Sequence, residues 1–126
     1  LNEKAKKAKK ILLVEDEPPI FKLLEKKLEK IKTKDIAILW ASNLTRAKEI
    51  FEENKETLNL IVLDACVPGK TINTVPFLEQ ILEADFDGPI VASSSNPNFN
   101  ATLRIVGATH SCSKMEIAEI VERLTE

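Results

Sequence analysis

Four groups of residues in this chain have the types and order needed to handle a phosphate together with a cation. Glu15, Asp16 and Glu17 follow the apolar run ILLV at 11–14. Asp64 closes the apolar run LNLIVLD at 58–64. Ser93, Ser94 and Ser95 follow IVA at 90–92, and Lys114 follows the weaker run ATHSCS at 108–113. Clustered carboxylates without a counter-charge repel one another and favour a cation. An all-oxygen donor set suits Mg²⁺, which keeps several waters and commonly joins one or two carboxylates to phosphate. A lysine and a hydroxyl can then hold the remaining phosphoryl oxygens. Taken singly, each group has an ordinary explanation. Asp64 could end a strand, the acidic triplet could be a solvated turn before a helix, the serines could be loop residues, and Lys114 could be a surface lysine. Their coincidence at the ends of successive apolar runs favours a site.

A second phosphate chemistry has to be set against this one. VPGKT at 67–71 ends like a nucleotide-binding P-loop, G-x-x-x-x-G-K-[ST]. Counting back from Gly69 puts Asp64 where the first glycine is required. A carboxylate there repels the phosphate that backbone amides should receive, and INTVP delays the helix that a P-loop enters directly. Nucleotide binding by this loop is not expected.

The elements that must position these residues are legible as alternating patterns. ILLV reads as a strand buried on both faces, with Pro18 and Pro19 opening a helix that carries Ile20, Leu23, Leu24, Leu28 and Ile31 on one face. IAILWA at 36–41 reads as a second strand, on the sheet edge, with Trp40 as packing. Ser42 or Asn43 caps the next helix, with Leu44, Ala47, Ile50 and Phe51 inward. The third strand, at 58–64, leads into a loop of about eleven residues, longer than is usual for such units. Thr74 and Pro76 open a helix bearing Phe77, Leu78, Ile81 and Leu82. IVA is a fourth strand, SSSNPNFN a polar loop, and 101–106 a short helix ending at Gly107. A weak fifth strand at 108–113 and a final helix with Ile117, Ile120, Val121 and Leu124 complete the pattern. Five βα units with apolar strands predict an α/β fold: a doubly wound, five-stranded parallel sheet, flavodoxin-like, with helices on both faces. In such folds the function gathers at the carboxyl ends of the strands.

At 126 residues the chain suits one domain. It is 44% hydrophobic and 30% charged with a net charge of −2, so general nucleic-acid binding is not expected. Residues 1–10 carry Lys4, Lys6, Lys7, Lys9 and Lys10 against Glu3 alone, so residues 1–9 read as a basic extension or linker before a domain at 10–126. The apolar runs are too short to span a membrane, and the acidic triplet interrupts ILLV too soon for a signal peptide. A cytoplasmic location is therefore expected, with Cys66 and Cys112 reduced and lacking metal-site spacing. His110, the single histidine, reads as structural or exposed. A start at Leu1 is expected of a fragment or a processed chain.

These parts together resemble the receiver domain of two-component response regulators, in the manner of the chemotaxis regulator. The resemblance runs from about Lys10 to Leu124. ILLVEDEP is similar to the family's acidic-pair motif, and IVLDACVPG to its phosphoacceptor strand, with Pro68 four residues after the aspartate. GPIVASS places Ser94 at the family's Thr/Ser position, and GATHSCSK keeps the lysine seven residues after the glycine. The resemblance implies that Asp64 accepts a phosphoryl group from a histidine kinase or phosphotransfer protein. It implies that Asp16 binds Mg²⁺ directly, that Glu15 assists through water, and that Asp64 and the backbone carbonyl of Cys66 complete the metal site. It further implies that Ser94 and Lys114 hold phosphoryl oxygens and that Asn96 tunes the lifetime of the phosphoryl group. The domain would catalyse only its own modification and its reversal.

The chain departs from the family pattern at the positions that transmit the signal. Met115 stands where a proline usually follows the lysine, and Ser111 where an aromatic switch residue is common. The segment from Ser94 to Gly107 is short for the family, which predicts a reduced fourth helix. With no ring at Ser111, weak coupling from the site to the face built by the fourth helix and fifth strand is expected. A rival reading is therefore a receiver-like interaction module that works without phosphorylation. A small aspartyl-phosphate phosphatase is disfavoured, because that chemistry needs an acid two residues after the nucleophile, where Cys66 stands.

Overall fold

A computed structural model of the chain describes residues 8–31 and 35–126. The strands are β1 (Lys9–Val14), β2 (Ile36–Ala41), β3 (Leu60–Leu63), β4 (Ile90–Ala92) and β5 (His110–Ser111). The helices are α1 (Pro18–Glu29), α2 (Leu44–Asn54), α3 (Val75–Glu83), α4 (Pro97–Val106) and α5 (Ile117–Leu124), with a 3₁₀ turn at Lys114–Glu116. All five strands run parallel in the order β2-β1-β3-β4-β5. This is the expected doubly wound α/β fold. Strand order reverses between β1 and β3, and a crevice forms at the carboxyl ends of strands on either side of such a reversal.

Alternation along each strand divides the core between two faces. Leu12, Val14, Ile61, Leu63, Ile90 and Ala92 face α2, α3 and α4, where Phe51, Phe77, Leu78 and Leu103 are buried. Ile11, Leu13, Leu60, Val62 and Val91 face α1 and α5, against Leu24, Leu28, Ile117 and Val121. Strands apolar on both faces leave their polar residues only at the ends, so the sheet itself delivers charge to its rim.

Several boundaries differ from the sequence reading. β1 begins at Lys9, because the backbones of Lys9 and Lys10 continue the ladder opposite Ile36 and Ala37. Residues 1–7 of the expected basic extension lie outside the described residues. Ile31 falls beyond the end of α1 yet still packs against the second core cluster. The fourth helix is not reduced. It spans ten residues, Pro97–Val106, and takes in half of what reads as a polar loop. Asn96 caps it by accepting from the Asn98 amide at 2.9 Å, and Pro97 occupies the first turn, where an amide hydrogen is not needed. Gly107 ends it at φ +151°, and a Cβ there would lie 2.5 Å from Leu82 Cδ1. Only glycine lets the chain leave α4 so close to α3. β5 is shortened to two residues, fewer than the expected run.

Candidate functional site

The parallel ladder runs one residue past the strands and aligns the site. The amide of Glu15 donates to Ala41 O at 3.0 Å, that of Asp64 to Val14 O at 3.0 Å, that of Ser93 to Leu63 O at 3.0 Å and that of Cys112 to Ala92 O at 2.9 Å. Glu15 and Asp64 thus leave adjacent strands side by side at the reversal of strand order. Both are buried: Glu15 is 0% exposed and Asp64 3%. Asp16 is half-buried and Glu17 exposed.

One ammonium joins them. Lys114 Nζ donates to Glu15 Oε2 at 3.0 Å, to Asp64 Oδ2 at 3.1 Å and to Glu17 Oε2 at 2.6 Å. Asp64 Oδ1 accepts from the Ala65 amide at 2.8 Å, and Glu15 Oε2 also accepts from the Glu17 amide at 3.2 Å. Glu15 Oε1 is buried without a partner among the described residues. Three carboxylates share one positive charge. Burial above all, and then the charge of Asp64, pushes Glu15 up to about 7 despite its lysine contact. Burial likewise raises Asp64, opposed by the hydrogen bond and charge of Lys114. Burial disfavours the charge on Lys114, but the bonds to Glu17, Glu15 and Asp64 together outweigh it and raise its value.

Carboxylate oxygens of Glu15, Asp16 and Glu17 lie within 4.8 Å of one another. Three hard oxygen donors, one of them buried and unpaired, fit a divalent cation such as Mg²⁺ or Mn²⁺. Asp64 is not in that triplet but lines the same cleft, of about 610 Å³, with Asp16, Glu17, Cys66, Ser94 and Lys114. The loop after β3 is held by Asn73. Its amide nitrogen donates to Ala65 O at 2.9 Å, its Oδ1 accepts from the Val67 amide at 2.8 Å, and its Nδ2 donates to Val67 O at 2.9 Å. Thr74 Oγ1 donates to Ala65 O at 3.1 Å. Among the described residues, this leaves the intervening Cys66 carbonyl as the unengaged one of the three. Burial, and then the charge of Asp64, pushes the Cys66 thiol up, so the sulfur is a poor nucleophile.

Ser94 Oγ accepts from the Asn96 amide at 3.0 Å and keeps its own proton to donate. Asn96, Phe99 and Lys70 also line the cleft. Of the residues expected at the site, Asp16, Glu17, Asp64, Cys66, Ser94, Ser95, Asn96 and Lys114 line this cleft, whereas Glu15 and Ser93 are fully buried outside its lining, and the Ser93 hydroxyl has no partner among the described residues. Two contributors were not picked out from sequence. Glu17, read only as part of an acidic triplet, makes the shortest contact to Lys114. Trp40, read as packing, does stack on Phe21 at 4.5 Å, but its Nε1 also donates to Glu15 O at 2.7 Å. That bond crosses from the edge strand to the acidic turn, and no local pattern announces it. His110 takes no part: its Nδ1 lies 2.8 Å from Thr109 Oγ1, and it does not line the cleft.

Among the described residues, no helix is long and apolar enough to cross a membrane. No protein-family model and no curated protein matches the chain. Solved structures do. The non-phosphorylated HemR receiver domain of Leptospira biflexa is 26% identical with a TM-score of 0.74, over 94% of each chain. The BeF₃-activated receiver domain of Klebsiella pneumoniae RstA is 23% identical with a TM-score of 0.71, over 93% of this chain and 98% of its own. The Mn²⁺-bound form of the response regulator Rcp1 is 22% identical with a TM-score of 0.71, over 90% and 91%. With its strand order, its two buried faces and these neighbours, the chain has the fold of the response-regulator receiver domains of two-component signalling.

Proposed function

We propose that this domain is a phosphoacceptor switch that takes a phosphoryl group onto Asp64 from a histidine kinase or phosphotransfer protein. The observation that carries the reading is the single ammonium of Lys114 shared by buried carboxylates from two strands, Glu15 and Asp64, at the reversal of strand order. A buried carboxylate beside a fixed cation is a nucleophile whose developing ester is matched by charge already in place. An Asp64 carboxylate oxygen attacks phosphorus of the phosphohistidine. A P–O bond forms, the P–N bond breaks, and the imidazole leaves with a proton as the neutral ring. Lys114 exchanges a carboxylate contact for a phosphoryl oxygen, and Ser94 donates its hydroxyl proton to another. Water later attacks the acyl phosphate, which releases inorganic phosphate and restores the carboxylate.

Glu15, Asp16, Asp64 and the Cys66 carbonyl, with Glu17 as a further donor, are the groups that would hold Mg²⁺. When bound, the ion offsets the negative charge gathered on carboxylates and phosphoryl oxygens. Such a domain acts by shifting a conformational equilibrium and does not turn over a metabolite. Intact mass after treatment with a small phosphodonor, with and without Mg²⁺, tests the proposal. Gain of one phosphoryl group with the ion, and none in Asp64→Asn, is expected. Equal labelling of the folded Asn variant would overturn it.

The second reading, an interaction module independent of phosphorylation, draws on one feature. Lys114 already has three carboxylate partners, so its ammonium is engaged without phosphate. A chain that neither binds Mg²⁺ nor accepts phosphate would favour it.

A further inference from the structure

Among the described residues, the side chain of Asn100 bonds both to Ser94 and to the segment that carries Lys114. It lies in the first turns of α4 and is half-buried. Its Oδ1 accepts from the Ser94 amide at 2.8 Å, and its Nδ2 donates to Ser94 O at 3.0 Å and to Cys112 O at 3.1 Å. Two carbonyls and one amide facing one carboxamide admit a single orientation, with the NH₂ on the carbonyls. Ser94 is thus gripped at both ends of its own backbone by one helix. The same NH₂ holds the backbone two residues before Lys114. The place of an aromatic switch is filled by Ser111, which is exposed and makes no such connection.

We propose that Asn100 is a positioning residue that couples Ser94 to α4 and to the segment carrying Lys114, so that a phosphoryl group held by Ser94 and Lys114 displaces α4 and β5 through this amide. The inference rests on the phosphoacceptor reading and deepens it. When the Ser94 hydroxyl turns toward a phosphoryl oxygen, it loosens its bond to the Asn96 amide, which lies just before α4. The backbone of Ser94 cannot shift without moving Asn100 or breaking two bonds to it. Movement of Asn100 in turn pulls on the Cys112 carbonyl. A path of hydrogen bonds with two arrangements then replaces the exchange of apolar area that a ring would make.

Backbone amide shifts of the full chain, recorded with and without beryllofluoride and Mg²⁺, test this in the wild type, Asn100→Ala and Asn100→Asp. In the wild type, changes are expected to extend from residues 64–74 and 93–96 into 97–112. In Asn100→Ala they should stop at 96, and apparent beryllofluoride affinity should fall about tenfold as two holding groups lose their common support. Asn100→Asp keeps the acceptor for the Ser94 amide and loses both donors. It should retain the response at 93–96 and lose it at 108–112, and it carries the test if the Ala variant does not fold. A purely structural role would lower the thermal midpoint and leave the extent of the changes untouched; that result overturns the proposal. So does a wild type whose changes stop at 96. A wild type with no change anywhere overturns the phosphoacceptor reading itself, and the inference with it.

Discussion

The two sides of the rim are built from opposite materials. At the ends of β1 and β3, four carboxylates gather, three of them bonded to one ammonium, and a buried oxygen of Glu15 is left without a partner among the described residues. At the ends of β4 and β5 the groups are neutral and mostly paired: Asn100 with Ser94 and Cys112, Asn96 with Asn98, and the Ser94 hydroxyl with Asn96, while the buried Ser93 hydroxyl has no partner among the described residues. The first side holds unfavourable charge that a cation or a proton can relieve, so it responds to ligands. The second side is a network of neutral groups that keeps one geometry until something pulls on it, so it transmits. Lys114 belongs to both, since it hangs from the second and is bonded to the first.

The comparison is broken most completely at Lys114. Lys114→Met removes the cation from between buried carboxylates, for which breaking such a pair costs about 3–5 kcal/mol. Urea melts at neutral pH without metal should show a loss of that order. The loss should shrink near pH 5, where Glu15 binds a proton and needs no counter-charge. An equal loss at both pH values would mean that packing of the lysine stem, not charge, holds the site.

The pH response of the wild type should carry the same signature. The folded value of Glu15 lies above its ordinary 4.5, at about 7, so the folded state holds the proton more tightly. That stabilisation is fully present below pH 4.5 and is lost as pH rises through about 7, at no more than about 1.4 kcal/mol per pH unit for one proton. Asp64 is raised as well and acts in the same direction. Mg²⁺ should flatten the slope by taking the place of the proton. Metal-free stability that instead rises from pH 5 to 7 would count against the crowded site.

A smaller effect is expected where a ligand is removed from the triplet. Asp16→Ala should weaken Mg²⁺ binding by about tenfold while leaving the apo protein as stable or slightly more so, because one of several like charges is gone. Calorimetry measures the first. Trp40 fluorescence gives an independent reading, because its indole is bonded to the Glu15 carbonyl. The smallest effect on stability belongs to Glu17→Gln. Its carboxylate is largely exposed, and such pairs contribute about 0–1 kcal/mol. Its value is in sharpening the comparison. With Glu17 neutral, Lys114 is freer to meet a phosphoryl oxygen, and the yield of labelling at limiting phosphodonor should rise. A fall would assign Glu17 to metal binding instead of restraint of the lysine.

The sequence by itself determined the sheet, the two faces of its core and the identity of the acid, hydroxyl and lysine at the rim. Those follow from local rules: apolar runs of strand length, helical spacing between them, and polar residues confined to strand ends. IAILWA and IVA form strands over the expected residues, and Asp64 and Lys114 meet as their positions at strand ends imply. What tertiary structure alone decided are the bonds between segments far apart in the chain. Nothing near Glu17 indicates that it closes on Lys114, 97 residues away, or that Trp40 donates to Glu15 across two strands. Asn100 shows the same limit more sharply. In SSSNPNFN every residue suits a loop, and its four-residue entry into α4 depends on a cap and on two carbonyls, of Ser94 and Cys112, just past β4 and β5. A side-chain hydrogen bond has no period, so it leaves no pattern along the chain and exists only once the fold has brought donor and acceptor together.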